Sequence, residues 1–417
     1  MKAIILAAGE GKRMKSNLPK VLHTIAGKPM LHWVIDACIE AGIDDITVVV
    51  GNGGEEVQKA TKQPVNFVWQ KEQLGTGHAV LCAKEHINPN DKVLIMYGDT
   101  PLVTPVLLKN LLDFQQEKGA HGVIASTSVP DPAGYGRVIV SPSGEFEAIV
   151  EQKDIVPSQE TIKTINPGVY VFEGRELLYG LEHMDNDNNQ QEYYLTDVPQ
   201  IMREDGFKVD VYHDSDYLQF LGINTQRQLA EAAVIMRDRI IDRHFENGVT
   251  IVDPSTVYID ADVEIGTDTV IGPFTVIQGA TIGKNCQIGP FTYIRNGTTV
   301  GERCRIGDFV ELKNATIGND SNAAHLAYIG DAKIGDGVNF GCGAITANYD
   351  GADKHLTVIE DGAFIGSNVN LVAPVTVQTG AYVAAGSTIV EDVPKDAMSI
   401  ARERQVNKED GAKKYKK

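Results

Sequence analysis

Tyr258-Ile259-Asp260-Ala261-Asp262-Val263-Glu264-Ile265-Gly266-Thr267-Asp268-Thr269-Val270-Ile271-Gly272-Pro273-Phe274-Thr275-Val276-Ile277 places isoleucine at 259, 265, 271 and 277, a step of six residues. After a slip of one, the step resumes at Ile282, Ile288, Ile294, Val300, Ile306 and Leu312. It returns at Ile365, Leu371, Val377, Val383 and Ile389. Glycine follows the aliphatic residue at Gly266, Gly272, Gly283, Gly289, Gly301, Gly307 and Gly318. Six matches neither the helical period of 3.6 nor the strand period of 2. It fits a triangular solenoid whose faces each supply one short strand, with the aliphatic side chain pointing inward at the turn. A Gly-rich β-sandwich, the competing all-β reading, has no reason to repeat at a fixed step. The step breaks at 319–327 and again at 346–355, and insertions in a solenoid are expected to become loops where function collects.

Upstream of this region the pattern changes. Residues 226–247 carry apolar side chains at Leu229, Ala233, Met236, Ile240 and Phe245, with charges elsewhere on the helical wheel, which predicts a linker helix. Residues 1–225 alternate strand-like runs, at 3–6, 46–50 and 93–97, with amphipathic ones at 30–41 and 106–114. Such alternation predicts a parallel sheet covered by helices. The fold class is therefore α/β: a Rossmann-like domain over 1–225, a linker helix over 226–247, and a solenoid of hexapeptide repeats over 248–417.

The chain has 417 residues, 42% of them hydrophobic, enough for two domains. With 38 basic against 56 acidic residues the formal charge is −18, which argues against wrapping a nucleic acid. It leaves room for small anions, because charge acts over a Debye length of about 8 Å. Cys38, Cys82, Cys286, Cys304 and Cys342 are odd in number and form no C-x-x-C pair, which fits a reducing cytoplasm. Cys342 is expected to be core packing. No apolar run reaches the ~18 residues of a membrane span, and the run from Ala3 stops at Gly9, too short for a signal-peptide core. The basic end, 413–417, is expected to be solvated and frayed.

Leu6-Ala7-Ala8-Gly9-Glu10-Gly11-Lys12-Arg13-Met14 follows the first strand, at the carboxyl end where open α/β sheets bind ligands. Small residues let backbone N–H groups approach phosphate oxygens, and Lys12, Arg13, Lys15 and Lys20 add positive charge. The longer pattern G-x-G-x-R-M-x4-P-K, from Gly9 to Lys20, resembles the signature of sugar-1-phosphate nucleotidyltransferases. Further pieces follow in order: Gln70 to Ala79, Tyr97-Gly98-Asp99, Gly134 to Arg137, Glu151-Gln152-Lys153, Asn166 and Gly222-Ile223-Asn224. The resemblance implies a site for UTP and the sugar nucleotide at Leu6, Ala7, Ala8, Gly9, Lys20, Gln70, Gly75, Thr76, Gly136, Glu151, Asn166 and Asn224. It also implies Mg²⁺ on Asp99 and Asn224, and catalysis by Arg13 and Lys20. Two residues depart from the pattern: Lys12, which either adds phosphate affinity or points to solvent, and Pro167, which removes a backbone donor beside Asn166.

The first break in the solenoid contains His325, a residue type suited to general-base work because its ordinary pKa is about 6.5. The second, Thr346 to His355, is a polar loop suited either to a sugar phosphate or to plain turn chemistry. Together they resemble the acetyltransferase domain of the bifunctional N-acetylglucosamine-1-phosphate uridylyltransferase and glucosamine-1-phosphate N-acetyltransferase family, and the resemblance covers nearly the whole chain. It implies a left-handed parallel β-helix, His325 as base, and glucosamine-1-phosphate on Arg295, Lys313, Tyr328, Asn339 and Lys354. It also implies acetyl-CoA on Asn348, Tyr349, Ser367, Ala385 and Arg402, a homotrimer with shared sites, small-molecule substrates only, and neither nucleic acid nor membrane insertion. Departures are Asn296 after Arg295, Asn322 in place of a common Lys, and a solenoid short of a few turns between Gly248 and Arg295. Two other readings compete: a uridylyltransferase whose solenoid is an oligomerisation or regulatory arm, and a noncatalytic assembly subunit.

Overall fold

The structure, a computed structural model, describes residues 1–415. It comprises two compact units, Met1–Met236 and Arg237–Lys417. The division falls inside the helix Gln226–Glu246 and not at its two ends, where the sequence suggested it. That helix contains no Gly or Pro and stops at Gly248, whose φ of 78° lets Gly248 and Val249 donate back to Phe245 and His244.

The first unit holds a ten-stranded sheet. Asn66–Trp69, Asp45–Val50, Lys2–Ala7 and Lys92–Tyr97 lie parallel, side by side in that order. Ala3, Ile5 and Ala7 enter one hydrophobic core and Ile4 and Leu6 the other, so the central strand is apolar along its length because both faces are covered. The expected parallel sheet forms over these four strands, and the rest of the sheet is mixed. Tyr170–Glu173 runs antiparallel between Lys92–Tyr97 and Gly122–Ser128, and Gly136–Val140 pairs antiparallel with Phe146–Val150 and Thr164–Asn166. Thr164–Asn166 and Tyr170–Glu173 run on in one direction along Gly122–Ser128, with Gly168 (φ 82°) between them, so the chain returning from Phe146–Val150 lies antiparallel to that strand over its whole length.

The second unit is the left-handed parallel β-helix that the six-residue step predicts. One column runs Ile259, Ile277, Ile294, Leu312 and Ile329, each in register with the next and each buried. Full burial of such a side chain contributes roughly 1.5–3 kcal/mol, and here the contribution recurs every coil. A second column caps one corner with hydrogen bonds. Thr269 Oγ1 donates to Gly283 O (2.8 Å), Cys286 Sγ to Gly301 O (3.1 Å), Cys304 Sγ to Gly318 O (3.0 Å) and Ser321 Oγ to Gly335 O (2.9 Å). Cys286 and Cys304 are therefore rungs of the solenoid.

One of the two breaks departs from expectation and the other meets it. Asn322–His325 is no insertion: it is a strand paired with Arg305–Asp308 and Asn339–Phe340, and buried Ala323 takes the inward position with a smaller side chain. Residues 346–355 do leave the frame, as a loop closed by an antiparallel bridge between Tyr349 and Lys354. At the basic end Gly411–Tyr415 forms an exposed 3₁₀ turn, and Lys416 and Lys417 lie outside the described residues. Among the described residues no helix is long and apolar enough to cross a membrane.

Candidate functional sites

In the first unit the carboxyl ends of Lys2–Ala7 and Lys92–Tyr97 open onto a cavity of about 430 Å³. Leu6, Ala7, Ala8, Gly9, Arg13, Lys20, Gln70, Gly75, Thr76, Asp99, Gly136, Glu151, Asn166 and Asn224 all line it. The loop after the first strand needs Gly11 (φ 64°), because a Cβ there would stand 2.9 Å from Lys20 Cβ. The same approach brings Lys20 to the floor of the cavity. Its ammonium pairs with Asp99 Oδ2 and donates to Asn224 Oδ1 at 3.0 Å. Ile223 N donates to Asp99 O, which ties the late Asn224 loop to the end of the sheet strand.

Burial dominates the electrostatics of this cavity. It pushes the Glu151 carboxyl above the ordinary range, while a hydrogen bond from Thr196 Oγ1 (3.1 Å) pulls it down. Burial, helped by Asp185, Glu151 and Asp154, pushes Asp197 up to about 6. Lys12 points to solvent and pairs with Glu10, which settles the choice left open above. Asn166 sits beside Pro167 in the cavity wall and is internally braced: its Nδ2 donates to Tyr170 Oη (2.6 Å) and its Oδ1 accepts from Gly168 N (3.2 Å).

In the second unit His325 Nδ1 lies 2.8 Å from Asp308 Oδ1, one coil below, and both side chains are about half exposed. The hydrogen bond from His325 holds the Asp308 carboxyl below the ordinary range. Cys342, expected in the core, is exposed instead: its position two residues after inward Phe340 matches that of His325 after Ala323, so it stands outside the prism on the next coil. Ser367 and Ala385 continue that column, with Asn368 N donating to Cys342 O and Gly386 N to Ser367 O, and Arg402 Nη1 donates to Ala385 O at 2.5 Å. Arg295, Lys313 and Tyr328 belong to a different face. There Lys354, followed by desolvation and Arg295, pushes the Lys313 ammonium below its ordinary value, against a smaller upward pull from Asp331. Arg295 also pairs with Glu311 at 2.9 Å. Asn348 Nδ2 donates to Asp331, and Tyr349 is exposed at the loop. Asn339 is not brought to the cations: it stands on the face that carries His325.

Residues 3–195 match the family of MobA-like NTP transferase domains. Residues 279–314 match the bacterial transferase hexapeptide (six repeats), and 357–391 match the hexapeptide repeat of succinyl-transferase. A Clostridium tetani protein named Bifunctional protein GlmU is 46% identical over 448 residues, covering 99% of this chain and 98% of that protein. Proteins of the same name from Thermoanaerobacter pseudethanolicus (48% over 440 residues; 97% and 96% covered) and Caldanaerobacter subterraneus (47% over 442; 98% and 96%) align equally far. This chain belongs to the bifunctional GlmU family.

An alignment of 448 positions exceeds the 417 residues present here, so the Clostridium GlmU has residues that this chain lacks. Several side chains at the two sites escaped the sequence reading. Asp308 is 17 residues before His325, one coil, and that spacing was the available signal. Glu192 lines the cavity and Thr196 braces Glu151, with nothing in their sequence neighbourhood to set them apart from loop and cap residues.

Proposed function

We propose that this chain makes UDP-N-acetylglucosamine by two transfers. Acetyl passes from acetyl-CoA to glucosamine-1-phosphate, and a uridylyl group then passes from UTP to N-acetylglucosamine-1-phosphate with release of pyrophosphate. The observation that carries the two-reaction reading is the Asp308–His325 couple, because a solenoid serving only as an arm has no use for an oriented, solvent-facing imidazole.

For acetyl transfer the carboxylate of Asp308 accepts from His325 Nδ1–H, which leaves the Nε2 lone pair free. Nε2 takes the proton as the sugar amine attacks the thioester carbonyl, and the coenzyme A thiolate leaves. Arg295, Lys313 and Lys354 supply the fixed cations for the sugar phosphate, whose arrival relieves the repulsion felt by Lys313. Tyr328 and Asn339 are assigned to the same sugar phosphate, and Asn348, Tyr349, Ser367, Ala385 and Arg402 to acetyl-CoA. Asn339 lies on another face from the cations, so a complete site draws on more than one copy. This favours a homotrimer. The exposed column Phe274, Phe291, Phe309 and Leu326, which ends beside His325, is apolar surface of the kind such contacts cover.

For uridylyl transfer the backbone of Leu6 to Gly9 receives the phosphates, Gln70, Gly75 and Thr76 the uridine, and Gly136, Glu151 and Asn166 the sugar. The sugar phosphate oxygen attacks the α-phosphorus in line, and Arg13 and Lys20 draw off the charge of the leaving pyrophosphate. Asp99 and Asn224 fit Mg²⁺, since their two oxygens already hold the ammonium of Lys20 as a stand-in cation. Bound there, Mg²⁺ supplies charge neutralisation to the triphosphate. Five free thiols suit a cytoplasmic enzyme. The test is thiol release from acetyl-CoA with glucosamine-1-phosphate, measured alongside pyrophosphate release from UTP with N-acetylglucosamine-1-phosphate. Pyrophosphate without thiol would leave a uridylyltransferase with a structural arm.

A further inference from the structure

Gln70 is almost wholly buried in the cavity wall, and its amide has only a few atoms with which to meet a base. Its Nε2 lies 2.9 Å from Gly75 O. A carbonyl oxygen only accepts, so the atom facing it must be the amide nitrogen, and the flip of the side chain is fixed. The same Nε2 lies 3.2 Å from His78 Nδ1. A primary amide nitrogen has two hydrogens and no lone pair to share, so Nδ1 must be the acceptor and the imidazole proton must sit on Nε2. That nitrogen faces Cys82 Sγ at 3.8 Å, a weak acceptor. Both Gln70 donors are thereby used inside the protein, and Oε1 alone remains. His78 itself does not line the cavity; it stands behind Gln70, on the helix Thr76–Cys82.

We infer that His78 is a positioning residue that sets nucleotide choice: by taking the second N–H of Gln70, it leaves the base pocket an acceptor and no donor at that point. The inference rests on the uridylyl-transfer reading of the cavity. Uracil carries N3–H and pairs with such an acceptor. Cytosine has the same size but a lone pair at N3, so two acceptors would face each other without water between them. A site built to hydrogen-bond a substrate group rejects an analogue that lacks it more strongly than a merely apolar pocket can.

The experiment compares kcat/KM for UTP and for CTP, with N-acetylglucosamine-1-phosphate, in the native protein, His78→Phe and His78→Gln. Phenylalanine cannot accept the second N–H, so the preference for UTP should fall about tenfold, the worth of one hydrogen bond. Glutamine offers a carbonyl oxygen in its place and should keep the preference. An unchanged preference in His78→Phe, or an equal fall in both variants, overturns the inference. Should His78→Phe fail to fold, the ¹⁵N spectrum of the native protein decides: the proton must be on His78 Nε2, and a proton on Nδ1 refutes the argument. A native protein that releases no pyrophosphate from UTP fails the uridylyl reading instead, and the tautomer still reports on His78 separately.

Discussion

Glu151 sits in a cavity at the end of a sheet, while His325 stands half in solvent at the corner of a prism. The two sites gather their residues differently. The sheet draws together groups as far apart in sequence as Leu6 and Asn224, because the ends of neighbouring strands meet wherever the chain returns to them. The solenoid can bring together only what its period stacks, Asp308 under His325 and Ser367 beside Ala385. In the first site desolvation governs the Glu151 carboxyl; in the second, Lys354 governs Lys313 and the hydrogen bond from His325 governs Asp308. The first site is walled by residues of its own unit, whereas the second presents its imidazole at an open corner.

The sharpest test of this contrast is metal removal. If Asp99 and Asn224 hold Mg²⁺ as proposed, a chelator should abolish uridylyl transfer and leave acetyl transfer intact, as read by pyrophosphate and thiol release on one sample. His325→Ala should do the reverse, lowering acetyl transfer roughly 10²–10⁴-fold with uridylyl transfer unchanged. Loss of both activities in either experiment would break the separation of the sites.

A smaller effect concerns stability. His244 is buried at the start of the second unit, neither ring nitrogen has a hydrogen-bond partner, and burial, then Arg243, pushes its pKa down to about 4 from 6.5. The unfolded chain therefore binds the proton first. This contribution to stability is complete above about pH 6.5 and is lost as pH falls toward 4, at up to ~1.4 kcal/mol per pH unit. His244→Leu should flatten the fall in melting temperature of the native chain between pH 7 and pH 5. The smallest effect is at Thr196. Thr196→Val removes a hydrogen bond that lowers the Glu151 pKa, so the acid limb of KM for N-acetylglucosamine-1-phosphate should move to higher pH, with a change of only a few-fold near neutrality.

The solenoid was legible because each sixth side chain must enter the same narrow interior, so the sequence records the interior residue by residue. Ala323 misled for the same reason: a small inward residue keeps the frame but lowers the hydrophobic signal, and a regular strand was read as an insertion. The mixed sheet was less legible, since the antiparallel course of Tyr170–Glu173 depends on where the chain returns along Gly122–Ser128 and not on the strand's own composition. In the cavity, the glycine and lysine signature gave the phosphate end. Thr196 was hidden, and so was the part played by His78 within Gln70 to Ala79, because they act on Glu151 and Gln70 from behind, through single hydrogen bonds that no spacing announces.

Circuits without an inserted loop close in 17 or 18 residues over this stretch, with Ile277 meeting Ile294 and Ile294 meeting Leu312. A whole circuit can therefore be lifted out like one plate from a pile: the plates above settle by one strand spacing, about 4.8 Å, and every vertical seam lines up again. Nothing comparable holds for the sheet, where losing one strand exposes two edges and parts the loops that wall the cavity. Relatives with more residues than this chain are thus free to differ from it in height without differing in the arrangement of either set of reactive groups.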